Sequence, residues 1–348
     1  MKTVLPELSF VCVSRNDSHG GNPNKRLLYS CGSFAKQCDQ YKVPSEYIIV
    51  EWNPPDDKPR LIEELRGIKS NYCKVRIITV PPSLHQKYNF SNRLPLFQMI
   101  GKNVGIRRAK SQFILSSNID IVLSHKLFLE ITKKRLKKNF LYRSTRFDVK
   151  NEILNYDFNE ALAYKFVTRI NLPKATLQVG SGGDIFKNYI GARTSINKEI
   201  TKANLHKVRI FIKRMVNKSA KNTFSLHTNA CGDFQLMSRE AWFQLGGYSE
   251  MEIYSFHIDS LLMYSALRNN IYSVDFPPPS YHFHVDHSEG WLPENPKLLF
   301  DRLTSQGIGF LDEEISIFEE LYRRNEIFNE YITDNWGLGE HVLEEQYI

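Results

Sequence analysis

Apolar residues in the first third of the chain recur in two alternating patterns. Short apolar runs at 8–13 (LSFVCV), 47–51 (YIIVE) and 74–80 (KVRIITV) are bounded by turn residues, as buried parallel strands are. Residues 24–41, between the first two runs, and residues 94–109, after the third, carry apolar side chains at helical intervals. This alternation predicts an α/β fold with a doubly wound, mostly parallel sheet and flanking helices.

The same periodicities predict further elements along the chain. Ser238 precedes a helical pattern that stops at Gly246 and Gly247, which predicts a helix capped at both ends. The middle of the chain is less regular, and its glycine cluster at 180–183 favours a loop. The remaining predicted helices are 60–69, 125–138, 197–217, 257–268 and 313–331, and the remaining predicted strands are 112–122, 140–149 and 272–276.

The bulk composition is ordinary for a folded protein, with 42% hydrophobic and 24% charged residues in 348. No apolar run approaches the roughly 20 residues that a bilayer span requires. Pro6 and Glu7 interrupt the N-terminal apolar stretch where a secretory signal would be unbroken. The five cysteines are odd in number and lack paired metal-ligand spacing. We therefore expect a reduced, cytoplasmic setting.

The net charge of +8 is unevenly distributed. Residues 133–138 read KKRLKK, residues 198–221 are strongly basic with Glu199 as their one acid, and the tail from Asp312 onward is acidic. A basic helix face attracts phosphate donors or anionic lipid headgroups, which leaves open a peripheral contact with a membrane surface. A solvated helix face is the alternative. No recognised nucleic-acid motif accompanies the charge, so we expect no nucleic-acid partner.

An acidic strand end is the most informative chemical feature. The strand predicted at 112–122 carries the triplet Asn118-Ile119-Asp120. A carboxylate at the carboxyl edge of a parallel strand lies in the ligand crevice of an open α/β sheet. Such a group holds a divalent cation against a diphosphate, so Asp120 is a candidate metal ligand.

A histidine cluster far along the chain offers nitrogen ligands to the same ion. Residues 281–287 read YHFHVDH. Alternate residues of an extended segment face the same side, so His282 and His284 are predicted to point inward together. Both Mg²⁺ and Mn²⁺ accept carboxylate oxygens, and an imidazole ligand favours Mn²⁺. The predicted metal site is thus Asp120, His284 and His282 holding Mn²⁺ or Mg²⁺, with a hydrogen-bonded histidine group as the alternative.

Four motifs, taken in order, resemble those of the GT-A nucleotide-sugar glycosyltransferases, of the family 2-like type with a galactosyltransferase-type C-terminal half. The motifs are the tetrad Ser14-Arg15-Asn16-Asp17 after the first strand, Glu51 followed by Trp52-Asn53-Pro54, the spacing Asn103-x-Gly105-x-x-x-Ala109, and Gly246-Gly247-Tyr248 followed by Asp259 and the histidines. Two positions depart from the pattern. Asn118 stands where the family usually has a carboxylate, and His257-Ile258-Asp259 replaces its acidic pair.

The resemblance implies a metal-dependent glycosyltransferase that moves a sugar from a nucleotide diphosphate donor, with UDP favoured, to a hydroxyl of a glycan or glycolipid acceptor. Polysaccharide biosynthesis is the implied setting. The candidate donor-binding residues are Ser14, Arg15, Asn16, Asp17, Glu51, Asn103, Arg107 and Asn118.

An inverting transfer also needs a carboxylate that accepts the proton of the acceptor hydroxyl. Asp259 is the first candidate, because its place after Gly247 at the start of a helix matches the position of the base in the resembled family. A helix N-terminus also favours the ionised carboxylate. Asp233 is the second candidate.

This interpretation divides the chain into four parts. They are a nucleotide-sugar-binding half at 1–125, a variable middle segment with a basic helical insert at 126–225, an acceptor and catalytic half at 226–310, and an acidic helical tail at 311–348.

Two other hypotheses use the same features. A metal-dependent nucleotidyltransferase or hydrolase would employ the cation on a phosphate ester, and a non-catalytic carbohydrate-binding protein of this fold would tolerate Asn118 in the triplet. A dinucleotide-binding fold is disfavoured, since no GxGxxG follows the first strand.

Overall fold

The computed structural model describes residues 5–17, 20–133, 135–172, 175–179, 195–205, 226, 228–287, 297–311 and 333–348. The strands are β1 (Leu8–Ser14), β2 (Ser45–Trp52), β3 (Cys73–Val80), β4 (Phe113–Ser117), β5 (Ile121–Leu123), β6 (Phe140–Arg143), β7 (Thr145–Val149), β8 (Val167–Leu172), β9 (Ala175–Gln178), β10 (Phe234–Ser238), β11 (Tyr272–Asp275), β12 (Tyr281–Val285) and β13 (Glu344–Tyr347). The helices are α1 (Pro23–Tyr41), α2 (Leu61–Glu64), α3 (Pro82–His85), α4 (Gln98–Arg108), α5 (His125–Thr132), α6 (Glu160–Lys165), α7 (Arg239–Leu245), α8 (Ile258–Arg268) and α9 (Lys297–Ser305).

The larger sheet has eight strands in the order β11-β6-β10-β4-β1-β2-β3-β13. Its centre, β4-β1-β2-β3, is parallel, whereas β10 and β13 run antiparallel to their neighbours in that block. Every residue of β1 and β2 is buried, as expected for strands covered on both faces. This confirms the predicted α/β fold with a mostly parallel sheet.

Helices cover both faces of this sheet. On one face, Phe34 of α1 packs edge-on against Phe10 of β1, with 5.5 Å between ring centroids. On the other face, α4 lies so close to the sheet that its Gly105 contacts Val11 and Val50. Alternate residues of β1 therefore enter two separate cores, one under α1 and one under α4, which is the doubly wound arrangement.

A smaller sheet of five strands, β5-β12-β7-β8-β9, adjoins the first. One face of it is apolar, with Phe147 of β7 stacked on Tyr281 of β12 at 4.3 Å between ring centroids. The residues that alternate with this apolar set are polar, and they include Arg146 and Asp148 of β7 and His284 of β12. The polar face is the one that supplies side chains to the candidate site.

Two runs that were each predicted to form one strand form two strands instead. The run at 112–122 is split into β4 and β5, and the run at 140–149 is split into β6 and β7, with each pair divided between the two sheets. Hydrophobic periodicity marks both halves as buried strand, but it carries no information about which sheet a strand joins.

Several boundaries also differ from prediction. Helix α4 begins at Gln98 instead of residue 94, because Pro95 disfavours helical backbone before it and lacks an amide hydrogen. Helix α2 is only Leu61–Glu64, and α5 ends at Thr132. Ser238 does cap α7, since its hydroxyl accepts a hydrogen bond from the Ala241 amide.

Some predicted features lie outside the described residues. These are the glycine cluster at 180–183, residues 206–217 of the basic helix, and the helix at 313–331. The described end of the tail is β13, which pairs with β3 at the edge of the larger sheet. Strand β13 lies beyond the predicted helix, within the segment 311–348 that the sequence analysis named an acidic tail. Among the described helices, none combines the length and the apolarity needed to cross a membrane.

We predict that Gly105→Ala destabilises the protein. A Cβ at this position would lie 2.5 Å from Val11 Cγ1 and 3.2 Å from Val50 Cγ2, so α4 would have to move away from β1. Overpacking of this kind costs about 1–3 kcal/mol. Gly32→Ala in α1 is the matched control, because nothing lies within 4 Å of its added Cβ and alanine favours helix. Chemical unfolding should give a lower midpoint for the first variant only; equal midpoints would contradict the close packing of α4.

Candidate active site

Polar residues gather at the carboxyl edge of the parallel strands. Ser14 ends β1, and Asn118 directly follows β4. Because β10 is antiparallel to β4, with Phe234 opposite Ser117, the start of β10 places Asp233 at this same edge. The crevice of the sheet is thus lined by side chains from distant parts of the chain, as is usual for ligand sites of open α/β sheets.

Asp120, His284 and His287 form a cluster with the geometry of a metal site. Their ligand atoms all lie within 4.8 Å of one another. Asp120 Oδ2 is 3.8 Å from His284 Nε2 and 3.3 Å from His287 Nε2. Pairing of β5 with β12 produces this approach, since His284 lies opposite Ile121. The structure therefore brings together Asp120 and His284, two of the three metal ligands that the sequence predicted.

The carboxylate of Asp120 is ionised, and one of its oxygens is available to bind a cation. Its Oδ1 is buried and accepts no hydrogen bond from the part of the chain that the structure describes. Burial raises the pKa of this carboxyl, but His284, His287 and Arg26 outweigh burial and hold the pKa well below its usual range. An ionised oxygen with an unused lone pair fits a divalent ion.

A second carboxylate orients the His284 ring. Asp148 Oδ1 lies 3.2 Å from His284 Nδ1, and Arg146 Nη2 lies 2.9 Å from the same nitrogen. When Nδ1 carries a proton, Asp148 is the nearer of two carboxylates, with Asp286 Oδ1 at 3.8 Å, and the Nε2 of the neutral ring then has its lone pair free for an ion. A carboxylate behind a histidine in this way is the usual support of a metal-ligating imidazole.

His282, the third predicted ligand, is not part of this cluster of described residues, which contains His287 instead. The His282 ring is fully buried, stacks on Phe234 at 5.6 Å between centroids, and neither of its nitrogens has a hydrogen-bond partner among the described residues. Burial lowers the pKa of His282 to about 3. His287 lies beyond the end of β12, where strand alternation no longer predicts the direction of a side chain. The signal for it was present in the sequence as the last residue of the histidine cluster.

Asn118 and Asp233 belong to a buried polar network. The Asn118 amide donates to Asp233 Oδ1 at 2.7 Å and accepts from Gln98 Nε2 at 2.9 Å. Arg146 Nη1 donates to Asp233 Oδ2 at 2.7 Å. Burial raises the pKa of Asp233, but Arg146, His284 and His282 together outweigh burial, and the pKa is lowered overall. Both oxygens of Asp233 are thus engaged, which makes this residue a poor proton acceptor.

Asp259, the other candidate base, has a more exposed carboxylate than Asp233. It is half-buried in the first turn of α8, and its Oδ2 accepts from the Cys231 thiol at 3.1 Å. A Cβ on Gly232 would lie 2.6 Å from the same oxygen, so only glycine leaves room for this carboxylate. Oδ1 of Asp259 accepts from the Ser260 amide at 3.0 Å. Asp259 thus differs from the buried Asp233 by its greater exposure and by having no arginine bound to its carboxylate among the contacts of the described residues.

A buried ammonium lies beneath these acids. Lys102 of α4 is fully buried and donates from Nζ to the Gly232 carbonyl at 2.9 Å. Burial lowers the pKa of Lys102, while Asp259, Asp233 and Asp120 act in the opposite direction. The two catalytic candidates and the metal-ligand candidate thus surround one cation, a feature that the sequence analysis missed because Lys102 resembles any helix lysine.

The tetrad after β1 remains at the crevice. Ser14 Oγ is buried and has no hydrogen-bond partner among the described side chains and backbone. Arg15 donates from Nε to the Asn53 carbonyl at 2.7 Å and forms an ion pair with Asp17 at 3.3 Å. Asn16 Nδ2 donates to a backbone carbonyl at 2.7 Å. These contacts shape a polar rim at the ends of β1 and β2.

Three predicted donor-binding residues make hydrogen bonds within the protein. Glu51 is fully buried and accepts from Arg60 Nε at 2.6 Å and from the amide that begins α2 at 2.7 Å. Asn103 is fully buried and exchanges hydrogen bonds with the backbone of Tyr248. Arg107 lies at the opposite end of α4 from Gln98, where it donates to C-terminal carbonyls. Each of these side chains thus binds backbone groups of another segment.

Comparisons with known proteins complete the description. No protein-family model matches the sequence, and no curated protein matches it. Solved structures similar to this chain include GalNAc-T7 with UDP, GalNAc and Mn²⁺, at 12% identity and a TM-score of 0.44, over 97% of this chain and 54% of that one. S. aureus TarS matches at 13% identity and a TM-score of 0.42, over 92% of this chain and 42% of that one.

A shorter TarS structure, residues 1–349, matches at 13% identity and a TM-score of 0.42, over 97% of this chain and 76% of that one. GalNAc-T7 and TarS are glycosyltransferases. The chain spans only about half the length of the first two structures. At this identity and TM-score, the likeness does not decide what the chain does.

We predict that His282 makes the protein sensitive to acid. Its pKa falls from 6.5 to about 3 in the fold, so below pH 6.5 the unfolded chain binds a proton that the folded chain does not. Acidification through this window therefore favours unfolding. His282→Phe, which keeps a ring against Phe234, should lose less stability than the wild type between pH 7 and pH 4. Unfolding midpoints measured across this range test the idea, and parallel curves would refute it.

Proposed function

We propose that this chain is a divalent-cation-dependent glycosyltransferase. It moves a sugar from a nucleoside diphosphate donor, with UDP favoured, to a hydroxyl of a glycan or glycolipid, with inversion at the anomeric carbon. The observation that carries the proposal is the convergence of Asp120, His284 and His287 at the carboxyl edge of the parallel sheet, beside the polar rim after β1. A nucleoside diphosphate bound at that rim would lie with its phosphates next to the cluster.

The ligand set suits a divalent transition metal. One carboxylate and two imidazoles favour Mn²⁺ over Mg²⁺. Bound there, the ion would stabilise the negative charge that develops on the departing diphosphate. The chain prepares for this by holding Asp120 ionised and by fixing the His284 ring against Asp148. Arg15 adds a guanidinium at the rim, where it can pair with phosphate oxygens.

Asp259 is the proposed general base. Its half-buried carboxylate accepts from the Cys231 thiol and the Ser260 amide, whereas the buried carboxylate of Asp233 is held by Asn118 and by the guanidinium of Arg146. In the proposed step, the hydroxyl oxygen of the acceptor bonds to the anomeric carbon. At the same time, a carboxylate oxygen of Asp259 takes the proton of that hydroxyl. The bond from the anomeric carbon to the diphosphate breaks at the same time, and the nucleoside diphosphate leaves with the bonding electrons.

We expect Asp120→Asn to abolish Mn²⁺-dependent transfer. The amide keeps the shape of the side chain but removes the anionic ligand, and loss of the cation's charge stabilisation costs several kcal/mol, or about 100-fold or more in rate. Transfer is measured with a panel of UDP-sugars and glycan acceptors, with and without Mn²⁺. His282→Phe is the control, since it should leave Mn²⁺ dependence unchanged while His287→Gln should not.

The products distinguish the competing functions. A glycosylated acceptor together with free UDP supports transfer. Release of UMP or pyrophosphate would instead identify a nucleotidyltransferase or hydrolase. Tight UDP-sugar binding that is indifferent to Mn²⁺, without any turnover across the panel, would favour a non-catalytic binding protein.

We predict that Asp259→Asn lowers the activity of the protein, whereas Asp233→Asn lowers its stability. The first variant should lower kcat by about 10²–10⁴-fold, the usual contribution of a general base, with little change in UDP binding or in unfolding midpoint. The second removes a charge partner of the partly buried Arg146 and leaves a neutral amide at this buried position, which should lower the unfolding midpoint. Steady-state kinetics and thermal unfolding are measured on both. Full activity of Asp259→Asn would exclude it as the base.

A further inference from the structure

A guanidinium lies against the candidate metal ligand. Arg26, in the first turn of α1, is 3% exposed, and its Nε is 3.9 Å from Asp120 Oδ2. This cation is one of the groups that hold the pKa of Asp120 low. Screening by water and salt is weak at such a buried position, so the charge of Arg26 acts strongly on anything that binds Asp120.

Backbone carbonyls fix the position of Arg26. Its Nη1 donates to the Gly20 carbonyl at 2.5 Å and also to the Gly21 carbonyl. A Cβ on Gly20 would lie 2.8 Å from Arg26 Nη2 and 2.9 Å from His287 Nδ1. The guanidinium and a candidate metal ligand therefore pack side by side on one glycine. Arg26 cannot swing away from the site without giving up both carbonyl partners.

The other carboxylates near the cluster have cations of their own. Asp233 pairs with Arg146, and Asp148 pairs with both Arg146 and Arg169. Arg169 also contacts a nearby acid, Asp286. Asp120 is thus left with Arg26 as its arginine partner among the described residues. The local charge is close to balanced before any divalent ion enters.

We propose that Arg26 is a built-in counter-charge of the metal site, which makes binding of the divalent ion depend on the diphosphate of the donor. This inference rests on the proposed function. A divalent ion entering alone would leave an excess of positive charge in a buried site. The diphosphate supplies the missing negative charge, so ion and nucleotide each strengthen the binding of the other by the same factor.

Calorimetric titration of the full chain with Mn²⁺, alone and with saturating UDP, tests this proposal. The wild type should bind Mn²⁺ at least tenfold more tightly when UDP is present. Arg26→Met, which keeps much of the side-chain volume without the charge, should bind Mn²⁺ alone at least tenfold more tightly than the wild type does. Its enhancement by UDP should be correspondingly smaller.

Two controls separate charge from position. Arg26→Lys retains the positive charge and should behave like the wild type. Lys25→Met removes the same charge from the neighbouring residue, whose exposed ammonium contacts Asn155, and it too should leave Mn²⁺ binding unchanged. Arg26→Gln is a second neutral variant, with an amide that can still donate to the Gly20 carbonyl, and it replaces Arg26→Met if that protein does not fold.

The titrations distinguish failure of the proposed role of Arg26 from failure of the proposed metal dependence. Neutral variants that bind Mn²⁺ alone no more tightly than the wild type, while the wild type binds Mn²⁺ with UDP, would overturn the role of Arg26 and leave the proposed function standing. Equal affinity of the wild type for Mn²⁺ with and without UDP would also overturn it. Failure of the wild type to bind Mn²⁺ under either condition would remove the proposed metal dependence together with this inference.

Discussion

The guanidinium of Arg146 joins the two sheets of this protein, and the arrangement of the site depends on it. Nη1 reaches Asp233 at the start of β10 in the larger sheet, while Nε reaches Asp148 on its own strand in the smaller one. Nη2 lies beside the ring of His284 on β12. The buried carboxylates of Asp148 and Asp233 need a cation to remain ionised, and the partly buried guanidinium of Arg146 meets both, which favours the arrangement in which the two sheets adjoin here. Asp233 and Asp148 raise the pKa of Arg146 against the effect of burial, which keeps this cation charged.

The four acids near Arg146 differ in how many of their oxygens are bound to other side chains, and they fall into two groups. Both oxygens of Asp148 and of Asp233 are bound by neighbouring side chains, and these two acids orient His284 and Asn118. Asp120 and Asp259 keep accessible capacity, one as an oxygen with no hydrogen bond from the described chain and the other as a half-buried carboxylate. Four acids at one sheet edge thus divide into two that position and two that can act on a ligand. Desolvation forces this division, because buried carboxylates stay ionised only beside cations or strong donors.

Two residues of the sequence motifs make hydrogen bonds within the protein that the sequence did not predict. Glu51 and Asn103 sit where the motif places them, yet their side chains bond to the α2 amide and to the Tyr248 backbone. A polar residue at a strand end or in a buried helix face must satisfy its hydrogen bonds, and a nearby backbone group does so as well as a ligand. Spacing in the sequence does not distinguish these two outcomes. The Asn118 departure has a comparable explanation, because its amide donates to Asp233 and accepts from Gln98, whereas an ionised carboxylate only accepts.

The sequence by itself determined the alternation of strands and helices, the parallel sheet, the polar carboxyl edge, and Asp120 and His284 as neighbours across the chain. These follow from local periodicity and from the rule that parallel strands present their ends at one edge. Only the tertiary structure decided that two apolar runs divide between sheets, that His287 and not His282 faces Asp120, and that Arg26, Arg146 and Lys102 neutralise the acids. Such pairings depend on register and burial between segments that are far apart in sequence, and no local pattern encodes the direction of a side chain beyond the end of its strand.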